Sequence, residues 1–201
     1  MRPLIWTDRR AAAGAACVMA WLVSIELGTS RRASRAAVVA NDATERVVDT
    51  STSKVFNAAA ATAIAGGVVA SLAQPEASIR SRQTSYAGGL LLLCGSGALS
   101  VLARRHLGRF HRDSLTIHEG HELVETGPYR HVRHPLYTAT IGVFVGLGAV
   151  LGNRISLGLA ALPTIALIHR IRVEEDMLIE ALGSRYLRYR QRTARLLPGV
   201  W

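Results

Sequence analysis

Three apolar runs constrain this chain more than any other feature: 11–29 (AAAGAACVMAWLVSIELGT), 55–73 (VFNAAAATAIAGGVVASLA) and 86–103 (YAGGLLLLCGSGALSVLA). Each is close to the roughly 20 residues an α-helix needs to cross a hydrocarbon layer. Ala, Gly, Leu and Val supply most of the apolar bulk, and small residues of this kind suit close helix packing in lipid. Gly66 and Gly67 mark a close helix contact, and GGLLLLCGSG offers another. The run 11–29 lacks a clean small-residue cleavage site and is flanked by Arg31 and Arg32, so it reads as a span and not a signal peptide. Glu26, near its end, reaches the interface.

Two shorter apolar halves follow, 138–152 and 155–169, separated by Asn153 and Arg154. Neither is long enough to span comfortably. Together they read as a helical hairpin, 138–169, with Gly-Asn-Arg at its tip and a kink at Pro163. The expected fold class is therefore all-α: an integral membrane bundle of about five transmembrane helices. Residues 1–103 form the three N-terminal spans. Residues 104–201 form a core built on the hairpin and an amphipathic C-terminal segment, with a basic helix over 184–195 that puts Arg185, Arg188 and Arg192 on one face.

The net charge is +10, and Lys54 is the only lysine. A chain this basic fits nucleic acid or an anionic membrane surface, and the apolar runs decide for the membrane. The arginines also orient it. With 104–137 and the C-terminal part in the cytoplasm, 18 of the 24 Lys and Arg lie inside and 6 outside, as the positive-inside rule favours. Cys17 and Cys94 both sit inside apolar runs and read as buried small hydrophobes.

The chemistry is concentrated in 121–137, HELVETGPYRHVRHPLY. In a hairpin the two ends meet, so His121, Tyr129, Arg133, His134 and Tyr137 become neighbours of His169, Arg170, Arg172, Glu174 and Glu175. Such a pocket offers cations for a carboxylate, a carboxylate for an amine or ribose, and aromatic rings for a cation or a base. S-adenosylmethionine presents all of those groups, and a dinucleotide some of them. No G-x-G-x-x-G phosphate loop is present, and the His spacing lacks the i, i+4 face and carboxylates of a metal site. Taken singly, each residue also has a plain structural use: His134 and the tyrosines at the interface, Pro135 as a helix start.

The two polar segments together resemble the isoprenylcysteine carboxyl methyltransferase family, within the wider group that includes phospholipid methyltransferases. The shared pattern is H-x-L-V-x-x-G-x-Y-x-x-x-R-H-P-x-Y, a hairpin, then R-x-x-x-E-E-x-x-L and G-x-x-Y-x-x-Y, over roughly 100–201. The first 100 residues carry no motif. The resemblance implies S-adenosylmethionine as methyl donor. By position it assigns cofactor contact to His121, Glu122, Leu123, Val124, Tyr129, His134, Pro135, Leu136, Tyr137 and Glu174. It assigns Arg170 to the substrate carboxylate, and it implies no metal.

The expected activity is carboxyl O-methylation of a lipophilic, isoprenylcysteine-like substrate that arrives from the bilayer. A carboxylate nucleophile needs only an orienting cation, which Arg170 supplies. The alternatives are phospholipid N-methylation or small-thiol S-methylation, which would need a base such as His134 or Glu175. A sterol-type membrane reductase using NADPH is an alternative of another class, and a basic membrane scaffold is a non-enzymatic one. The expected partners are membrane lipids and not nucleic acid. The expected location is a multi-pass membrane protein with its catalytic face in the cytoplasm.

Overall fold

The computed structural model describes residues 46–49, 51–73, 79, 81–107, 115–117 and 123–199. In chain order these form β1 (Arg46–Asp49), α1 (Ser51–Ala73), α2 (Arg82–Leu107), β2 (Leu115–Ile117), a 3₁₀ turn (Gly127–Arg130), α3 (Pro135–Leu151), α4 (Arg154–Leu159), α5 (Ala161–Leu182) and α6 (Ser184–Arg192). The architecture is a helical membrane bundle. Among the described residues three stretches are long and apolar enough to cross a membrane, Ser51–Ala73, Gln83–Leu107 and Arg154–Leu182, with Pro135–Leu151 as a shorter apolar helix. The expected first span, 11–29, with Glu26 and Cys17, lies outside the described residues.

The outer surface of the bundle is apolar. Leu91 is 76% exposed, Leu72 67% and Ile165 63%. In water such a surface would be an aggregation hazard, whereas lipid covers it at no cost. The same reasoning corrects the expectation for Cys94. It is exposed, because an apolar position on a membrane helix can face lipid as readily as the core.

Close packing falls where the glycines are. A Cβ on Gly89 of α2 would lie 2.8 Å from the Gly146 carbonyl oxygen and from the Val150 amide nitrogen of α3, so the two backbones all but touch. Gly67 of α1 similarly admits Ser156, whose Oγ donates to the Gly67 carbonyl at 2.7 Å. Val143, Leu147 and Leu151 fill the space between, packed on Ile64 and Leu93. Phe144 meets Phe56 edge to face, with ring centroids 6.2 Å apart.

The hairpin turns where expected. Gly152 takes the left-handed conformation that ends α3 (φ 65°). Asn153 then caps α4, accepting from the Ile155 and Ser156 amides at 2.8 and 3.4 Å. The second arm breaks at Ala160, one turn before Pro163, and resumes as α5. Placed in the first turn of α5, Pro163 leaves no carbonyl waiting for its missing N–H. The arm does not stop at 169: α5 continues through Arg170 and the two glutamates to Leu182.

The two ends of the bundle differ. At one end the hairpin tip meets the connection between α1 and α2, with the Ile79 amide donating to Gly152 O at 2.8 Å and Asn153 Nδ2 to Ala70 O at 3.2 Å. At the other end lie the start of α1, the end of α2, the 3₁₀ turn, the start of α3 and the polar middle of α5. That end holds the candidate site. A short antiparallel ribbon, β1 with β2, pairs Arg46 with Ile117 and Val47 with Thr116 just ahead of α1.

Candidate functional site

Pro135 starts α3 because its fixed φ suits a first helical residue. That places His134 at the N-cap and aims Tyr137, one turn on, across to α5. The Tyr137 hydroxyl donates to Glu174 Oε2 at 2.8 Å and accepts from Arg170 Nε at 3.0 Å. Arg170 and Glu174 are four residues apart and so share a face of α5. One phenol therefore bridges a cation and a carboxylate. The His134 ring stacks on Tyr137, 5.5 Å between centroids and 14° between planes. The guanidinium is also held from α1, where Ser53 Oγ accepts from an Arg170 terminal nitrogen.

Glu175, the adjacent residue, does a different job. It is buried (2% exposed) and ringed by cations. Arg133 Nε donates to its Oε1 at 2.9 Å, Arg195 donates twice to its Oε2 at 3.1 and 2.7 Å, and His134 Nε2 lies 3.4 Å from Oε1. A carboxylate so engaged is a structural anchor and a poor base.

The anchor explains the course of the C-terminal segment. α6 stops at Arg192 and does not run on to 195 as the sequence suggests. Residues 193–196 instead extend along the start of α3. The Arg133 amide donates to Ala194 O (2.8 Å), the His134 amide to Arg195 O (3.2 Å), the Ala194 amide to His131 O (3.0 Å), and Thr138 Oγ1 to Leu196 O (2.8 Å). These bonds satisfy donors around the helix start, and Arg133 adds a bond to the Thr193 carbonyl.

The 3₁₀ turn is positioned by Gly127, which has φ 58° and packs against the His106 ring at the end of α2. Behind it Tyr129 is buried, and its carbonyl accepts from Tyr189 Oη of α6 at 2.7 Å. Burial pushes the phenols of Tyr129, Tyr186 and Tyr189 well above the usual range; the nearby carboxylates add to this at Tyr129 (Glu174) and Tyr186 (Glu175). At the rim, Arg192 pairs with Glu125. This pair is solvent-exposed and contributes little.

The structure thus brings together Tyr129, Arg133, His134, Pro135, Tyr137, Arg170, Glu174 and Glu175. Leu123, Val124 and Leu136 are half-buried, while His169 and Arg172 are exposed on the far face of α5. His121 and Glu122 lie outside the described residues. Sequence reasoning missed Ser53, Arg195, Thr193 and the role of Tyr189 as a brace. Only Tyr189 had a signal, in G-x-x-Y-x-x-Y.

Chemically, the site offers a carboxylate acceptor (Glu174), an aromatic pair (His134 and Tyr137) and a buried cation (Arg170). Among the described residues no cluster of His, Cys, Asp and Glu is arranged to hold a metal ion. Residues 89–180 match the sequence model of the isoprenylcysteine carboxyl methyltransferase (ICMT) family, and the match supports membership of that family. No curated protein matches the chain significantly.

Proposed function

We propose that this chain is a membrane methyltransferase that uses S-adenosylmethionine to methylate the carboxylate of a lipophilic, isoprenylcysteine-like substrate. The family match supports a membrane methyltransferase acting on substrates of that class. The observation that carries the finer reading is the Arg170–Tyr137–Glu174 chain, a cation and a carboxylate tied by one phenol at a single end of the bundle.

The residues present fit the cofactor. Glu174 keeps 26% of its side chain exposed and is the natural acceptor for an ammonium or a ribose hydroxyl. The stacked His134–Tyr137 pair and half-buried Leu123, Val124 and Leu136 supply aromatic and apolar surface for an adenine. Tyr129, and His121 and Glu122 by family position, complete the set. When bound, the cofactor supplies a methyl group on a sulfonium, which any anionic nucleophile can accept.

Arg170 then orients the acceptor. Its guanidinium is fixed at two nitrogens, so a carboxylate that docks on it is held in one plane and in line with the methyl donor. No proton has to be removed, and the two described carboxylates nearest Arg170 are engaged elsewhere: Glu174 accepts from Tyr137 and Glu175 from two arginines. An amine or thiol acceptor would leave the base role to His134. The acceptor's apolar tail can stay in lipid while its polar end reaches the bundle end.

Purified protein in detergent should bind S-adenosylhomocysteine, and Glu174→Gln should weaken that binding by about 1.5–3 kcal/mol, the loss of a charge-assisted hydrogen bond. Arg170→Ala should abolish methyl transfer to an S-prenylated N-acylcysteine while cofactor affinity is kept. Full activity in Arg170→Ala would defeat the carboxylate reading.

A further inference from the structure

We propose that Ser53 is a positioning residue for Arg170, and that the start of α1 forms the acceptor side of the site. The inference rests on the reading of Arg170 as the acceptor's cation. Its observation is independent of the family match, since Ser53 lies far outside residues 89–180.

A guanidinium held at one nitrogen can still swing about that bond. Tyr137 holds Arg170 at Nε, and Ser53 holds it at a terminal nitrogen from a different helix. Two anchors on one rigid plane fix its orientation. Arg170 is itself buried, at 8% exposure, where a misdirected charge is expensive.

Helix α1 is built to hold Ser53 in place. Immediately before it, β1 is laddered to β2 in the polar stretch that leads to the motif. At the far end, Ala70 and Gly67 are bonded to Asn153 and Ser156 of the hairpin tip. Phe56, one turn beyond Ser53, is packed on Phe144 of α3. A helix pinned at both ends has little axial play, and a shift of one ångström would part Ser53 from Arg170. A span that only anchored the protein in lipid would need neither the ribbon nor the serine. The acceptor side of the site is thus built in part by a helix outside the region that carries the family motif.

The test compares Ser53→Ala, Ser53→Thr and wild type in detergent, with an S-prenylated N-acylcysteine as acceptor and S-adenosylhomocysteine binding as the second readout. Ala is at least as good a helix former as Ser, so the variant should fold. Ser53→Ala should raise the acceptor KM about tenfold, the scale of one hydrogen bond to a charged group, and leave cofactor affinity unchanged. Ser53→Thr, which keeps the hydroxyl, should restore most of the loss. An unchanged acceptor KM in Ser53→Ala overturns the inference, as does a parallel loss of cofactor affinity or a Thr variant no better than Ala. A wild-type protein that methylates no prenylated carboxylate overturns the reading of Arg170 first, and this inference with it.

Discussion

Arg195 holds Glu175 by two donors on one oxygen, at 3.1 and 2.7 Å, across a gap of 20 residues. Through that grip the C-terminal segment is locked to α5, while Arg133 on the other oxygen locks in the turn that carries His134. One buried carboxylate thus joins three parts of the site that are far apart in sequence.

Breaking such a buried pair by removing one partner leaves an uncompensated charge, which costs about 3–5 kcal/mol. Glu175→Gln should therefore lower the melting temperature in detergent sharply, and Arg195→Met should do so less, because Arg133 still neutralises the carboxylate. The double variant should cost less than the sum of the two singles by more than about 1 kcal/mol, since the residues share one network. Additive effects would show that the two do not act through each other.

Helix contact through glycine gives a second, purely steric prediction. Gly89→Ala pushes a methyl to within 2.8 Å of backbone atoms that cannot rotate away, so α2 and α3 must part. The expected cost is about 1–3 kcal/mol of overpacking. Gly88→Ala, next door, meets nothing within 4 Å and should be neutral or slightly stabilising, because Ala is the better helix former. Thermal unfolding of the two variants side by side checks the register of the pair.

Alkaline pH should attack the brace behind the site. The phenols of Tyr129, Tyr186 and Tyr189 are raised above their unfolded value, chiefly by burial. A raised pKa means the folded state favours the protonated form. Its stabilisation is complete below the ordinary phenol value of about 10 and declines as pH rises beyond it. In a spectrophotometric titration, tyrosinate absorbance from these three residues should appear only together with loss of the fold. Tyr→Phe variants at 129, 186 and 189 assign the signal. Reversible ionisation near pH 10 with helicity intact would contradict their burial.

Residues of two kinds account for what the sequence disclosed. Gly152, Asn153 and Pro163 act locally, through sterics and capping, and the apolar runs 55–73 and 86–103 announce their helices by length and composition, so these two spans and the hairpin tip could be read directly. The meeting of His134 and Tyr137 with Arg170 and Glu174 followed from hairpin closure. The rest depended on long-range pairing without a local signal. Nothing in Thr193–Leu196 announces that it will leave the helix and pair with 131–138, and strands as short as Arg46–Asp49 and Leu115–Ile117 do not stand out in polar loops. Ser53 is one hydroxyl among several in STSK. Glu174 and Glu175 looked interchangeable, and only the geometry of α5, which turns them 100° apart, separates a cofactor candidate from a structural anchor.

Membrane orientation yields the last prediction. The hairpin tip and the start of α2 share one end of the bundle, bonded through Ile79 and Gly152, and the site occupies the other. Arg154 is exposed beside the tip, and Arg188 is exposed on α6, just past the long span Arg154–Leu182. They should therefore lie on opposite sides of a membrane. Among the described residues Arg104, Arg105, Arg130, Arg133, Arg170, Arg172 and the arginines of α6 gather at the end that holds the site, and Arg154 stands at the other, so by the positive-inside rule the site should face the cytoplasm. Under the proposed function, a water-soluble methyl donor made in the cytoplasm would reach the site only there. In a variant with Cys17 and Cys94 replaced by Ser, a cysteine at 154 should react with an impermeant maleimide on intact cells. A cysteine at 188 should react only after permeabilisation. Labelling of both from one side would show that Arg154–Leu182 does not cross, and the reverse pattern would put the site out of the donor's reach.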